Sequence, residues 1–180
     1  NKINFSPALS TEKQSAMNGG FRYAPATRIY IQFKNRFWEN ESLNGWGNTD
    51  LPEEIWQPSW DMSGNTGILM SYLRWSAAED MDILNESDRN TAVLNRWENI
   101  FEGSINNFDS GVSKSWVLDE WSKGAWASPT TSQNKNLNES ISQVEGRIHF
   151  AGEHSSNDRG WMQGALFSGL RAVSEIINTN

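Results

Sequence analysis

The residues whose types and spacing could do chemistry sit near the end of the chain. They are Arg147-Ile148-His149-Phe150-Ala151-Gly152-Glu153-His154, then Gly160-Trp161-Met162-Gln163-Gly164-Ala165-Leu166 and Ser168-Gly169-Leu170-Arg171-Ala172. The pattern predicts a strand ending in a Gly-Glu turn, a short polar loop, and a helix opened by glycine. Such a helix start presents backbone N–H groups without intrahelical acceptors, at the positive end of the helix dipole. That arrangement suits an electron-rich group seated at the helix end.

The elements that must position this segment are spread along the chain. Leu9 to Met17 reads as a short helix with Ser10 as N-cap. Thr27 to Lys34 alternates polar and apolar residues and predicts a strand, as does Gly67 to Leu73. Glu54 to Trp60 holds a further short strand, and Glu39 to Asp50 is an Asn/Gly-rich loop. Ser76 to Asp80 and Ser87 to Phe101 read as helices, the latter with Val93, Leu94, Trp97, Ile100 and Phe101 on one face. Ser113 to Trp121 and Arg147 to Ala151 complete the expected strands, and Gly124 to Asn138 reads as polar loop. The last helix spans Trp161 to Ile177. Its expected buried face is Met162, Leu166, Leu170, Val173 and Ile177, with Ala165, Gly169 and Ala172 permitting close packing.

Composition narrows the function classes. A chain of 180 residues can bury a core of about one domain. Its mean hydropathy of −0.65 and the lack of any run of about 20 apolar residues disfavour a membrane span. The net charge of −7, with basic residues scattered, disfavours nucleic acid as a partner. With no cysteine there is neither a disulfide nor a thiolate metal site, and the motifs suggest no metal. Compartment stays open: soluble, cytoplasmic or secreted. The Asn-Glu-Ser sequons at Asn40, Asn85 and Asn138 are expected by chance in so Asn-rich a chain. Ten tryptophans are most simply core and inter-domain packing, so any other role has to be argued position by position.

The ordered string from Arg147 to Ala172 resembles the C-terminal flavin-binding segment of the flavin-containing amine oxidases. The resemblance covers nearly the whole chain. Lys2-Ile3-Asn4-Phe5-Ser6-Pro7-Ala8-Leu9 resembles the family's Lys-Ile-x-Phe-x-Pro-x-Leu segment, and Phe37-Trp38 its Phe-Trp. Leu69 to Tyr72 resembles the central strand of the substrate domain, and Trp116 to Trp126 a stretch ending in a small-residue turn and an aromatic. The implied fold is α+β: a mixed-sheet portion of a substrate-binding domain over residues 1–144, with the C-terminal strand and helix of a Rossmann-like FAD-binding domain over 145–180.

The resemblance also implies roles. Lys2 matches the catalytic lysine that holds a water against flavin N5. Gly152 and Glu153 match the Gly-Glu turn whose carboxylate hydrogen-bonds ribityl hydroxyls. Met162 matches the residue whose N–H points at the flavin pyrimidine oxygen, and Gly160, Trp161 and Ala165 complete the cofactor-binding set. Trp126 and Trp161 match the two positions of the aromatic cage, and Gly160 the point where the substrate amine approaches backbone. Ala125 stands where monoamine oxidases carry the flavin-linking cysteine, which implies non-covalent FAD. Arg159, where the family often has a small residue or His, could reach substrate or serve as a loop cation.

Tyr72 resembles the tyrosine that binds the substrate carboxylate in L-amino acid oxidases. The implied activity is oxidative deamination of an L-amino acid by hydride transfer to flavin N5, giving an imine and then a keto acid, ammonia and hydrogen peroxide. A monoamine or polyamine oxidase of the same fold is the alternative. From another class, a Trp-rich ligand-binding module, for instance for carbohydrate, would account for the tryptophans but not for the Gly-Glu and Gly-Trp-Met-Gln-Gly string. No Gly-x-Gly-x-x-Gly fingerprint occurs in the chain, so the dinucleotide is expected on an N-terminal portion of the same protein. The isolated chain is accordingly expected to be colourless and inactive. Dioxygen and a small amine or amino acid are the remaining implied partners, with homo-oligomerisation open.

Overall fold

The computed structural model describes residues 3–51 and 53–178. The chain forms two compact units: residues 25–124, and residues 1–24 together with 125–180.

Residues 25–124 build a five-stranded sheet backed by helices. The strands are β2 (Ala26–Phe33), β3 (Gly47–Asn48), β4 (Glu53–Trp56), β5 (Gly67–Arg74) and β6 (Phe108–Ser115), ordered β3-β4-β5-β2-β6. All of these pairings are antiparallel, where a mixed sheet was expected. The physical reason is that β2 lies between β5 and β6, so the helical connection joining those two strands makes no parallel ladder. β5 is central, as the resemblance implied.

The period-2 pattern of β2 is realised in burial. Ile29, Ile31 and Phe33 join Ile55, Leu69 and Leu73 in the core. Two helices cover them: α2 (Ser76–Asp82) and α3 (Glu86–Trp97), the latter capped by the Asn85 side chain accepting from the Asp88 N–H. That is a structural role for one of the three sequon asparagines. Val93, Leu94, Trp97 and Phe101 are buried, but Ile100 is exposed, because α3 ends at Trp97. Burying such side chains stabilises by roughly 1.5–3 kcal/mol each. A short helix, α4 (Ser104–Asn107), leads into β6. β6 begins and ends earlier than the Ser113–Trp121 strand expected. Asp119 instead accepts from the N–H groups of Trp121 and Ser122, which turns the chain.

The other unit holds α1 (Thr11–Ser15), β1 (Tyr23–Ala24), β7 (Trp126–Ala127), α5 (Thr131–Ser142), a 3-10 turn at Glu153–Ser155, and α6 (Met162–Asn178). Ser10 caps α1 as expected. The polar segment expected to be loop contains α5, because Thr130 and Gln133 form a reciprocal capping box. Arg147 to Ala151 is not a strand: only an isolated bridge, Glu145 to Ile148, marks it. A strand needs a neighbour for its ladder, and the described residues provide none there.

The expected burial of α6 is reversed. Met162, Leu166, Leu170, Val173 and Ile177 are all more than half exposed, and Gly164, Ser168 and Ala172 form the packed face. Small side chains let that face approach closely, while the apolar stripe turns away from it. Among the described residues, no helix is long and apolar enough to cross a membrane, and no cluster of ligands could hold a metal ion.

Candidate functional site

The site centres on the loop and turn that precede α6. Gly152 ends the extended segment, and its N–H donates to Ser168 Oγ at 2.8 Å, which fastens the turn to the packed face of α6. Ser155 N–H then donates back to the Gly152 carbonyl, closing the 3-10 turn that contains Glu153. Both Glu153 oxygens are engaged by main chain: Oε1 accepts the Ala127 N–H at 2.9 Å and Oε2 the Gly160 N–H at 2.7 Å.

Two glycines meet steric demands that other residues could not. Gly160 holds φ at +76°, and a Cβ there would stand 3.3 Å from Trp126 Cδ1. Gly164 brings the first turn of α6 against the loop so closely that a Cβ would overlap the Asp158 carbonyl oxygen. The sequence string thus encodes two close approaches as well as a helix start.

Trp126 is half-buried in β7, paired with Ala24 of β1. Trp161 and Met162, in contrast, are 69% and 81% exposed, and Ala165 is exposed beside them. Trp126, Gly152, Glu153, Gly160, Trp161, Met162 and Ala165 therefore belong to one compact unit and surround the start of α6. Tyr72 belongs to the other unit, and Lys2 lies outside the described residues.

Arg159 is engaged within its own loop. Its Nε donates to the His154 carbonyl at 3.1 Å, its guanidinium lies 5.4 Å from the Phe21 ring centroid, and burial lowers its pKa. Burial likewise lowers the His154 pKa, which favours the neutral ring. Tyr23 is pushed the other way, mainly by burial and then by the Glu153 charge, so its phenol stays protonated above its ordinary range.

Tyr72 sits in β5 with Arg28 as its partner in β2 and Glu54 as its partner in β4. The Arg28 guanidinium lies 4.6 Å from the Tyr72 ring centroid and that of Arg74 5.4 Å from it. Arg74 is ion-paired with Glu54 at 2.7 Å. Sequence reasoning does not single out these arginines, although strand alternation places positions 72 and 74 on one face and register adds 28. It also misses an aromatic pair at the same sheet's edge, Trp46 and Trp56, with ring centroids 5.3 Å apart.

Lys13 is a further residue that the sequence does not mark. It is 2% exposed, donates to the Ile141 and Gln143 carbonyls at 2.8 Å each, and lies 3.7 Å from the Phe150 ring centroid. Arg171 does similar work on α6, donating to the Ser142 and Phe150 carbonyls. Together they hold the end of α5 and the extended segment that leads to Gly152.

This arrangement fits a flavin as one wall of a binding site. The first turn of α6 carries N–H groups without intrahelical acceptors, and its side chains there are exposed. Gly160 adjoins two aromatic residues, Trp126 in space and Trp161 in sequence. The sequence matches the family described as flavin containing amine oxidoreductase over residues 1–177. The chain belongs to that family. It is 38% identical over 159 residues to the Bacillus subtilis protein YobN, described as a putative L-amino-acid oxidase, covering 86% of this chain and 33% of that protein. It is 32% identical over 182 residues to the L-amino-acid oxidase of Siganus canaliculatus, covering 97% of this chain and 34% of that one. A putrescine oxidase variant from a redesign of cofactor binding has the same fold at a TM-score of 0.85 and 19% identity, with 99% of this chain and 40% of that chain aligned. The chain therefore spans about a third of the length of the curated relatives it matches.

Proposed function

We propose that this chain is part of an oxidase that binds FAD non-covalently and oxidatively deaminates an L-amino acid. The observation that carries the reading is the wall made by Trp126 against Gly160, with Trp161 and the exposed first turn of α6 beside it. When bound, the flavin supplies the two-electron acceptor chemistry and passes electrons to dioxygen. The protein residues bind, orient and polarise.

The Met162 N–H and the dipole of α6 favour negative charge at the helix start, by about 0.3–1 kcal/mol for an exposed end. That preference supports a ring system that gains electrons there. Glu153 retains a second lone pair on each oxygen for a cofactor hydroxyl, and Ala125, carrying no thiol, offers no attachment point. Lys2 supplies a local cation near the reacting centre in this reading. Trp126 and Trp161 hold the substrate nitrogen between flat faces, where cation–π attraction adds to desolvation. Residues 145–151 contribute an edge to the dinucleotide-binding sheet of the remaining protein, and the apolar stripe of α6 packs on that domain. Tyr72 in the sheet unit takes a substrate-binding role in this reading, and the α6 unit takes both substrate-binding and cofactor-binding roles.

The surroundings of Tyr72 favour an amino acid over a diamine. Two guanidinium groups flank its ring and Glu54 offsets one of them, so a carboxylate is attracted there and a second ammonium repelled. The test is peroxide formation by the full-length holoprotein on L-amino acids and on the amines left by their decarboxylation. Turnover of amino acids, with Tyr72→Phe raising KM for them and leaving any amine turnover unchanged, is the expected result. Preferential turnover of amines would replace the substrate assignment, and a protein without flavin would end the reading.

A further inference from the structure

We propose that Glu153 is the positioning residue of the tryptophan pair, its two oxygens fixing the backbone on which Trp126 and Trp161 stand. The inference rests on the reading of those tryptophans as a substrate cage, and it goes beyond the cofactor-hydroxyl role assigned to Glu153 above. One oxygen takes the N–H of Ala127, the residue after Trp126. The other takes the N–H of Gly160, the residue before Trp161. A single carboxylate therefore joins two segments distant in sequence, each at the residue adjoining one ring.

The bonds do not belong to the usual duties of a turn glutamate. The 3-10 turn closes on its own through the Gly152 carbonyl, with both the N–H and the hydroxyl of Ser155 donating to it. The closure of the turn does not use the Glu153 carboxylate, whose two oxygens reach β7 and the turn before α6. Charge-assisted bonds from peptide N–H groups are among the stronger hydrogen bonds, so the carboxylate sets the separation of the two segments rather than following it. Gly160 contributes the complementary constraint. Its N–H can meet Glu153 while its Cα lies against Trp126 only because no Cβ intervenes. Rotating Gly160 away from Glu153 would turn Trp161 with it.

Glutamine separates the two roles. The amide introduced by E153Q keeps one oxygen that can accept from a cofactor hydroxyl or from one peptide N–H, but its NH₂ faces the other N–H and cannot accept from it. The experiment uses the full-length holoprotein and compares wild type, E153Q, W161A and the double variant. Flavin content is read by absorbance, and kcat/KM is measured with the preferred substrate. The expected result is that E153Q retains its flavin, loses about 10–100-fold in kcat/KM, and costs less than about threefold more once W161A has removed the ring. Independent, multiplicative losses in the double variant would overturn the proposal, as would loss of flavin from E153Q, which would make Glu153 a cofactor ligand only. E153D keeps the charge but shortens the reach and serves as the second variant, with the same dependence on Trp161 expected. If neither variant folds, Glu153 is a folding residue and the proposal falls. A wild-type protein that turns over neither amino acids nor amines removes the cage reading itself, which is a distinct outcome.

Discussion

Gly160 and Trp126 are placed so that a Cβ on the glycine would stand 3.3 Å from the indole Cδ1, on a backbone held at φ +76°. Both constraints act at once. Gly160→Ala strains the left-handed backbone by about 1–2 kcal/mol and pushes on the ring. We expect the thermal unfolding temperature to drop by a few degrees and kcat/KM to fall by up to about 10²-fold, since a small misplacement at a reacting centre has that effect. An alanine variant with wild-type kinetics would show that the contact is not used.

The two glycines of α6 respond oppositely. Gly164→Ala forces a Cβ into the Asp158 carbonyl, so the loop must leave the helix start. Gly169 lies in the same helix with nothing within 4 Å of an added Cβ, and alanine there has the better helix propensity. Urea denaturation should show Gly164→Ala destabilised by about 2 kcal/mol or more, and Gly169→Ala stabilised by about 0.5–1 kcal/mol. Equal effects at the two positions would contradict the packing described.

Lys13 makes stability depend on pH in a defined direction. Burial lowers its pKa from 10.5 to about 8, with Glu145 opposing and Arg171 adding to the effect. Above pH 8 the folded chain has released a proton that the unfolded chain still holds. Stability contributed by this group therefore rises with pH from about 8 toward 10.5 and is lost again on acidification through 8. Tyr23, shifted upward, acts oppositely above its ordinary value of 10.0. Between about pH 7.5 and 9.5 the difference in unfolding free energy between wild type and Lys13→Met should slope with pH, and a flat difference would count against the burial argument.

The exposed stripe of α6 provides a test of the proposed partner domain. Leu170 and Val173 are 67% and 53% exposed on a helix whose opposite face is packed. Leu170→Glu should leave helix content and melting of the isolated chain nearly unchanged, since surface substitutions stay within about 0.5 kcal/mol. In the full-length protein the same change should lower the melting temperature and release flavin. Indifference of the full-length protein would show that the stripe has no apolar partner there.

The local chemistry of the chain is legible where short-range rules suffice. Alternation places β2 and β5, Ser10 announces the cap of α1, and glycine with tryptophan marks the turn before α6. Rules of that range fail where the partner decides. Phe150 lies in a segment with strand-like composition but without a neighbouring strand among the described residues, so only a bridge forms at Ile148. An apolar stripe normally seeks a core, which predicts burial for Leu166 and Leu170, yet Ser168 and Ala172 take the packed position. The polar composition around α5 hides a helix, although Thr130 and Gln133 carry its capping signature.

The candidate site divides along the same line. Residue types alone indicate a helix start, a carboxylate and two rings, because those follow from composition and spacing within short segments. Which atoms Glu153 meets is not available from spacing. It is decided by β7 arriving from a distant part of the chain and by the handedness of the backbone at Gly160. Nor could the sequence show Arg28 beside Tyr72, since cross-strand neighbours are fixed by register and not by distance along the chain, although alternation already puts Arg74 on the same face of β5. Sequence determined the family and pointed to the candidate residues; the tertiary structure alone determined how the Glu153 carboxylate joins their segments, because hydrogen bonds between remote segments exist only once the chain has folded.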